Sequence, residues 1–295
     1  PVACNHTISS DGRFVAFEAL SSIPGPMGGP GMWGVVLRFN LDTGKTDLVS
    51  TRAIVPRANP EDIRSLDMTP DGRFVAFVAS PDGVSGTDTC ILRWDGESGA
   101  TILASGDPAN AVPQGSRCDR PSLDVSGRTV AFLSSATNLV PDTPYGDYHL
   151  YVRNLQSSNA ILIDGGTVGP RLLLGPATGP AYSADGRCVA FEANVDDGRA
   201  SRPGARVDVF VRDLELPSLT LVSSRHPSLP DPSPAGMSTL GAQSVSGDGR
   251  YVAFASEAWD LVASDTNGLS DVFVRDRLTG SNTLVSVGLG GTAGN

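Results

Sequence analysis

Asp248-Gly249-Arg250-Tyr251-Val252-Ala253-Phe254 is the stretch that decides the fold. A glycine between Asp and Arg marks a tight turn. The β-branched and aromatic residues after it mark a strand leaving that turn. The phrase recurs as Asp11-Gly12-Arg13-Phe14-Val15-Ala16-Phe17, as Asp71-Gly72-Arg73-Phe74-Val75-Ala76-Phe77 and as Asp185-Gly186-Arg187-Cys188-Val189-Ala190-Phe191. A fifth version, Gly127-Arg128-Thr129-Val130-Ala131-Phe132, has Ser126 where the others carry Asp. The turn glycines stand 60, 55, 59 and 63 residues apart, so five units fill the 295 residues.

Working outward, each phrase is followed by a second apolar run ending near an arginine: Val35–Arg38, Cys90–Arg93, Leu150–Arg153, Val209–Arg212 and Val272–Arg275. A third run follows a turn, at Leu48-Val49, Ile102-Leu103, Ile161–Ile163, Leu219–Val222 and Thr283–Val285, and a short run precedes each Asp-Gly-Arg turn, such as His6–Ile8 or Gln243–Val245. Four short segments per unit, bounded by Gly, Pro and Asp, make a four-stranded antiparallel sheet whose strands are called A to D. Repeated sheets of this size are propeller blades, and some 59 residues is too long for one coil of a β-solenoid. The fold class is therefore all-β. The expectation is a five-bladed β-propeller in a single domain over 1–295, with blades near 5–52, 63–105, 120–164, 178–223 and 241–288. Residues 288–295 are expected to run into 1–5 and close the ring.

The phrases resemble the TolB-like β-propeller repeat, a relative of WD-type propellers. The likeness runs along the whole chain and is strongest from Ser246 to Val287, through Asp265-Thr266-Asn267-Gly268-Leu269-Ser270-Asp271-Val272-Phe273-Val274-Arg275-Asp276. It implies the fold and a binding or scaffolding role. It supplies no catalytic set, because such folds host many functions.

The composition narrows the function. A net charge of −10 argues against phosphate-backbone binding, so no nucleic-acid partner is expected. No run of 18 apolar residues exists, so no membrane insertion is expected. The basic residues are 21 Arg and one Lys, Lys45; the acidic ones are 26 Asp and 6 Glu. Acidic charge, scarce Lys and a start at Pro1 suit an exported bacterial protein in an extracellular, periplasmic or cell-surface setting.

Topology sorts the candidate residues. The A–B and C–D turns share one face with the ends of the C strands. Asp248 is therefore expected near Arg275, Asp185 near Arg212, Asp71 near Arg93 and Asp11 near Arg38. Either these arginines contact a ligand or, since every unit repeats them, they make structural ion pairs or carbonyl contacts. The long B–C and D–A connections lie on the other face, where variable loops usually bind. Trp33, Trp259, Arg57, Arg120 and His226 are the candidate ligand residues there, for a protein or glycan partner.

Asp265, Asn267, the Leu269 carbonyl and Asp271 alternate oxygen ligands around a glycine, which suits Ca²⁺; the competing reading of the same residues is a plain Asx turn capping strand C. Cys90 and Cys118 are the expected disulfide, and Cys188 a buried thiol. His6 and His149 read as packing residues, and Asn5-His6-Thr7 formally matches a glycosylation acceptor. The first functional reading is a non-enzymatic recognition or scaffold module. The second is a polysaccharide hydrolase or lyase using carboxylates such as Asp196, Asp231 and Glu257. The third is a self-associating subunit of a surface assembly.

Overall fold

The structure, a computed structural model, describes residues 3–21, 33–53, 65–81, 88–112, 115–141, 148–164, 171–173, 179–196, 207–216, 218–228, 235–241, 243–263, 265 and 267–288. Among the described residues every regular element is a β-strand. B strands run Phe14–Ser21, Phe74–Ala79, Thr129–Ser134, Cys188–Asp196 and Tyr251–Ser256, and C strands Trp33–Asn40, Cys90–Asp95, His149–Asn154, Val207–Asp213 and Asp271–Asp276. Each B strand pairs antiparallel with its C strand, and C with D, as the four-segment pattern requires. The first two repeats share one sheet through a single pairing of Ala53 with Ala79.

Strand A is continuous in repeats one to three, at Ala3–Ile8, Leu66–Met68 and Cys118–Leu123. In repeat four it is split between Arg171–Leu173 and Ala181–Tyr182, both on the same B strand. In repeat five it is split between Ser238–Thr239 and a lone bridge of Val245 to Val252, around Gln243 at φ 54°. The chain forms two compact units, Pro1–Ile163 with three repeats and Asp164–Asn295 with two.

The turn phrase explains itself locally. In four repeats a hydroxyl two residues before the Asp donates to it: Ser9 to Asp11, Thr69 to Asp71, Ser183 to Asp185 and Ser246 to Asp248. The same hydroxyl accepts the N–H of the first B-strand residue, and the Asp accepts the N–H of the following Arg at 3.0 Å. Repeat three exchanges the two roles. Asp124 accepts from Ser126 and from Thr129 N–H, so the turn closes with Asp and Ser swapped. These bonds hold the Asp11 carboxyl down at about 2 and lower Asp248 below the usual range.

The expected pairs of turn aspartates with C-strand arginines do not form. Each turn Asp is taken up by its own turn. In three repeats its neighbouring arginine crosses instead to the Asp that ends strand C, Arg73 to Asp95, Arg187 to Asp213 and Arg250 to Asp276, at 2.7–3.2 Å, while Arg13 stays on Asp11. In place of Asp71–Arg93, Asp185–Arg212 and Asp248–Arg275, the ion pairs are therefore Arg73–Asp95, Arg187–Asp213 and Arg250–Asp276. Arg38 pairs with Asp47 rather than Asp11.

The C-strand arginines have a different task, the carbonyl contact. Arg38 stacks 4.4 Å above the Phe14 ring and donates to the Gly72 carbonyl of the next repeat at 2.6 Å. Arg93 stacks 4.4 Å above Phe74 and donates to the Gly127 carbonyl, again at 2.6 Å. A Cβ on Gly72 would run into the Phe14 ring, and one on Gly127 into Phe74. These glycines, at φ 74° and 64°, thus serve both the turn and the joint between repeats. In the second unit Cys188 takes the aromatic's place against Gly249, and Arg277 donates to both the Gly249 carbonyl and the Cys188 sulfur. Arg153 reaches backward to the Leu103 carbonyl and Asn110 and is fully buried.

Inner strands are joined by carboxylates, that of Glu192 buried and that of Asp67 half-buried. Glu192 accepts the Leu240 N–H and Asp67 accepts the Leu123 N–H, each from the following repeat. Glu18 is fully buried and accepts from Asn5. Burial pushes its pKa up to about 7, against the opposing bonds from Asn5 and Ser65.

Two outcomes follow for stability. Gly12→Ala meets open space and costs about 1 kcal/mol for its positive φ, whereas Gly127→Ala adds the overlap with Phe74 and costs about 3 kcal/mol in denaturant unfolding. Glu18 is protonated in the folded state up to a higher pH than in the unfolded chain, so its stabilising share is complete below the ordinary value of 4.5 and is lost as pH rises through about 7. Glu18→Gln flattens that part of the stability–pH curve and is the more stable form above it, by up to about 3 kcal/mol.

Candidate functional site

In the second unit the B–C connection of repeat five continues the strand alternation beyond Ser256. Ser256, Ala258 and Asp260 point inward and are buried, so Glu257 and Trp259 point outward. Trp259 is 58% exposed. Its position is fixed from below. The buried Asp260 carboxylate pairs with Arg225 and accepts the Ala235 N–H, while its backbone carbonyl accepts the His226 N–H at 3.0 Å. Glu257 N–H donates to the Met237 carbonyl, and Ser238 and Ser256 share a hydrogen bond between their hydroxyls. The D–A connection is thereby tied to the B–C connection, and His226, exposed with Nδ1 2.9 Å from Ser228 Oγ, is held beside the Trp259 segment.

Of the five residues expected to bind a ligand, the structure brings two together, Trp259 and His226. Trp33 opens its C strand, pairing with Ser21, and its side chain lies outside the described residues, as does all of Arg57. Arg120 is a correction. It sits within the strand Cys118–Leu123 at φ 54°, only 8% exposed, so it is part of the sheet and not a loop contact. Arg225 and Asp260, which anchor the patch, were missed. An Arg-His pair on one long loop and an Asp beside the exposed Trp on the other was the available signal. Of the candidate carboxylates, Glu257 is exposed beside Trp259, while Asp231 and the Asp196 side chain lie outside the described residues.

The loop expected to hold calcium follows on the same B–C connection. Asp265 is 6% exposed, and neither of its carboxylate oxygens has a hydrogen-bond partner of normal geometry. Burial raises its pKa, the Asn267 backbone N–H works against that rise, and the charge of Asp271 adds to it. Asp271 is buried and already engaged by Asn267 Nδ2 at 2.8 Å and by the Ser286 hydroxyl. Leu269 N–H donates to Asn267 Oδ1 at 2.9 Å, which is the Asx turn of the competing reading. Both readings meet here: the turn is made, and one buried carboxylate is left over. Among the described residues no group of three His, Cys, Asp or Glu side chains is gathered for a metal.

The expected disulfide is overturned, since no bond joins Cys90 and Cys118. Strand alternation explains why: Thr89, the neighbour of Cys90, is the residue that faces Cys118, bonding both its carbonyl and its N–H. Cys90 therefore turns the other way, its thiol 3.6 Å from the Ala79 carbonyl, while Cys118 lies 3.3 Å from Ser134 Oγ and burial pushes its pKa up to about 11. Cys188 is the buried thiol expected. His149 is buried, but His6 is exposed and so is no packing residue. Asn5 spends its amide on Glu18 and Ser65, which leaves it no role as a glycosylation acceptor.

No protein-family model matches the chain, and no curated protein matches it. Solved structures do. The β-propeller domain of the Trilobed protease from Pyrococcus furiosus, described as having an open velcro topology, matches with a TM-score of 0.54 at 12% identity, over 96% of this chain and 70% of its own. An oligogalacturonate lyase in complex with manganese matches at 0.52 and 12% identity, over 95% of this chain and 63% of its own. TolB from Acinetobacter baumannii matches at 0.48 and 12% identity over 93% of this chain, which spans 52% of that protein. At such identities the fold is what is shared: the chain has the β-propeller fold that its TolB-like repeats implied.

Proposed function

We propose that this chain contributes five blades to a propeller and acts as a recognition module, binding a glycan through the patch of Trp259 and His226. The exposed Trp259 carries the reading. A flat indole standing out of a rigid segment gives the apolar face of a sugar ring a stacking surface, and the imidazole beside it offers a hydrogen bond to a hydroxyl. The segment is ordered before any ligand arrives, because the buried Asp260 ties it to Arg225, Ala235 and His226, so little ordering entropy is lost on binding. A loop-borne patch on a repetitive scaffold is also where propeller-like arrays usually place recognition. Nothing covalent is required of the patch.

The same proposal gives the Asp265–Asp271 loop a calcium ion. Two buried carboxylates whose charges oppose each other, one without hydrogen bonds, are stabilised by a hard cation with oxygen ligands. The Leu269 carbonyl completes the set. Loop and Trp259 share one B–C connection, so the ion would stiffen the segment that presents the indole. An extracellular, periplasmic or cell-surface location belongs to the reading and rests on the acidic, lysine-poor composition.

The test is a titration followed by tryptophan emission, against a panel of neutral and acidic polysaccharides, with calcium and with chelator. Trp94 is buried beneath Arg38, so the exposed Trp259 is an accessible reporter. Binding should quench and blue-shift the emission, and Trp259→Ala should weaken affinity about tenfold or more, a stacking contribution of about 1.5 kcal/mol. Calcium should raise the melting temperature of the parent chain and not that of Asp265→Ala. Release of shortened sugars during the titration would sink the non-enzymatic reading.

A further inference from the structure

The residue after the B-strand phenylalanine is apolar in three repeats, as Val78, Leu133 and Ala255, and a glutamate in two, Glu18 and Glu192. Both glutamates are buried, and each reaches the following repeat by a different means. Glu192 accepts a backbone N–H, that of Leu240. Glu18 accepts at Oε2 from the side-chain amide of Asn5, at 2.8 Å, and the same Asn5 Nδ2 donates to Ser65 Oγ of repeat two at 2.6 Å. Glu18 Oε1 is buried as well and has no hydrogen-bond partner among the described residues. Asn5 is free to make this bridge because it stands outside the ladder. The register of Ala3–Ile8 against Phe14–Ser21 slips between Cys4 and His6, and Asn5 sits in the slip at φ 47°, a backbone that Asn tolerates.

The strands differ in how firmly they are held. Within its unit Ala3–Ile8 is an edge strand with one ladder partner, whereas Phe14–Ser21 is paired on both sides. Charged and titratable groups on the elements around Glu18 are few. Arg38 lies on the same side of strand C as Val36, the ladder partner of Glu18, and is engaged by Asp47 and the Gly72 carbonyl. Asp67, in strand A of repeat two, accepts the Leu123 N–H. His6 pairs with Phe17, so it faces the other side of the sheet, and it is exposed. The side chain of Cys4, which pairs with Glu18 in the ladder, lies outside the described residues. No charge bears on the Glu18 carboxyl: burial raises its pKa to about 7, and only the bonds from Asn5 and Ser65 oppose the rise.

We propose that Glu18 and the Asn5 bulge form a proton-set latch: the neutral carboxyl holds Ala3–Ile8 closed on repeat two, and ionisation of Glu18 opens that strand while Phe14–Ser21 stays in its sheet. A neutral carboxyl is tolerated where it lies. An ionised one is a buried charge with one oxygen unmet, and it regains water only if something beside it moves. Phe14–Ser21 cannot move without losing two ladders. The edge strand loses one, and the Asn5 amide leaves with it. In the opened strand the carboxyl returns to its ordinary 4.5. The latch is therefore tight below that value, loosens as pH rises from 4.5 to about 7, and changes little above. All of its parts lie in the first unit, so it is independent of sugar binding at Trp259.

The experiment is amide hydrogen exchange of the intact chain at pH 5 and pH 8, corrected for the pH dependence of intrinsic exchange. Protection of the Ala3–Ile8 amides should fall by about fiftyfold between the two, while the amides that join Phe14–Ser21 to strand C keep theirs. Glu18→Gln still accepts from Asn5 and carries no charge, so protection of Ala3–Ile8 should be the same at both pH values. Asn5→Gly keeps the positive φ and lacks the amide, so the strand should be poorly protected at both. His6→Gln removes the other group on this strand that titrates in the range and should respond as the parent does. A parent strand whose protection ignores pH, a loss shared equally by Phe14–Ser21, a response that survives in Glu18→Gln, or one that vanishes in His6→Gln overturns the proposal.

Discussion

An arginine lying flat on the first residue of a B strand, with its outer nitrogen on a glycine carbonyl of the next repeat, is the contact on which the rest of the molecule depends. A four-stranded sheet of this size has two faces and buries neither by itself. It becomes stable only when the next sheet covers it. Arg38 and Arg93 set how close that sheet comes, since the guanidinium sits at 4.4 Å above the ring and reaches the carbonyl at 2.6 Å. The approach is possible only because the partner turn lacks a Cβ at that point. One residue type thus answers two demands, a left-handed backbone in the hairpin and a bare surface for the neighbouring ring. Any other residue at Gly72 or Gly127 would meet one demand at most.

Fixing the turns of one face leaves the opposite connections free of structural duty, and they have diverged accordingly. The Trp259 segment shows how such a connection is nevertheless made rigid. It adds no regular structure; it continues the in-out alternation of the strand, spends one buried carboxylate on two donors of the neighbouring loop and gives the backbone carbonyl of the same residue to a third. A buried Asp pairing with one arginine is costly through desolvation alone, but the additional Ala235 N–H meets the second carboxylate oxygen that would otherwise be left unsatisfied. Asp265, a few residues on, is the converse case, with burial and no such donors.

How much of this could be read from the residues depends on range. Five turn phrases with β-branched flanks determine hairpins locally, and all five turn glycines do adopt positive φ. Arg38 and Arg93 do reach a turn, but it is the turn of the next repeat, and the choice of acceptor was not legible. Sequence brings Asp248 and Arg275 to the same end of one sheet. It does not show that the hydroxyl of Ser246 and the Arg250 N–H have already claimed that carboxylate. A rule was nonetheless available: every turn Asp has a hydroxyl two residues before it, and Asp124-Val125-Ser126 keeps the pair in reverse order. The disulfide failed for a reason of phase, because a one-residue offset on a strand sends Thr89, not Cys90, toward Cys118. At the patch, the exposed Trp259 was visible in the sequence, while its anchor required two long loops to meet.

The uneven use of basic residues, 21 arginines to a single lysine, then has a structural cause. The joint needs a cation that is planar enough to lie on a ring, donates in its own plane to a carbonyl, and keeps further N–H groups for a carboxylate. Arg38 does all three at once, over Phe14 and Trp94, to the Gly72 carbonyl and to Asp47. An ammonium is a compact, strongly hydrated point charge and can meet only one of these demands at a time. The turn arginines repeat the argument, since Arg73 and Arg250 each engage a carboxylate through two nitrogens while covering the ring beside them. Lys45 opens the D strand Lys45–Ala53 at an exposed position where none of this is asked of it. What looked in the composition like a mark of cellular setting is, at these positions, a requirement of stacking one sheet on the next.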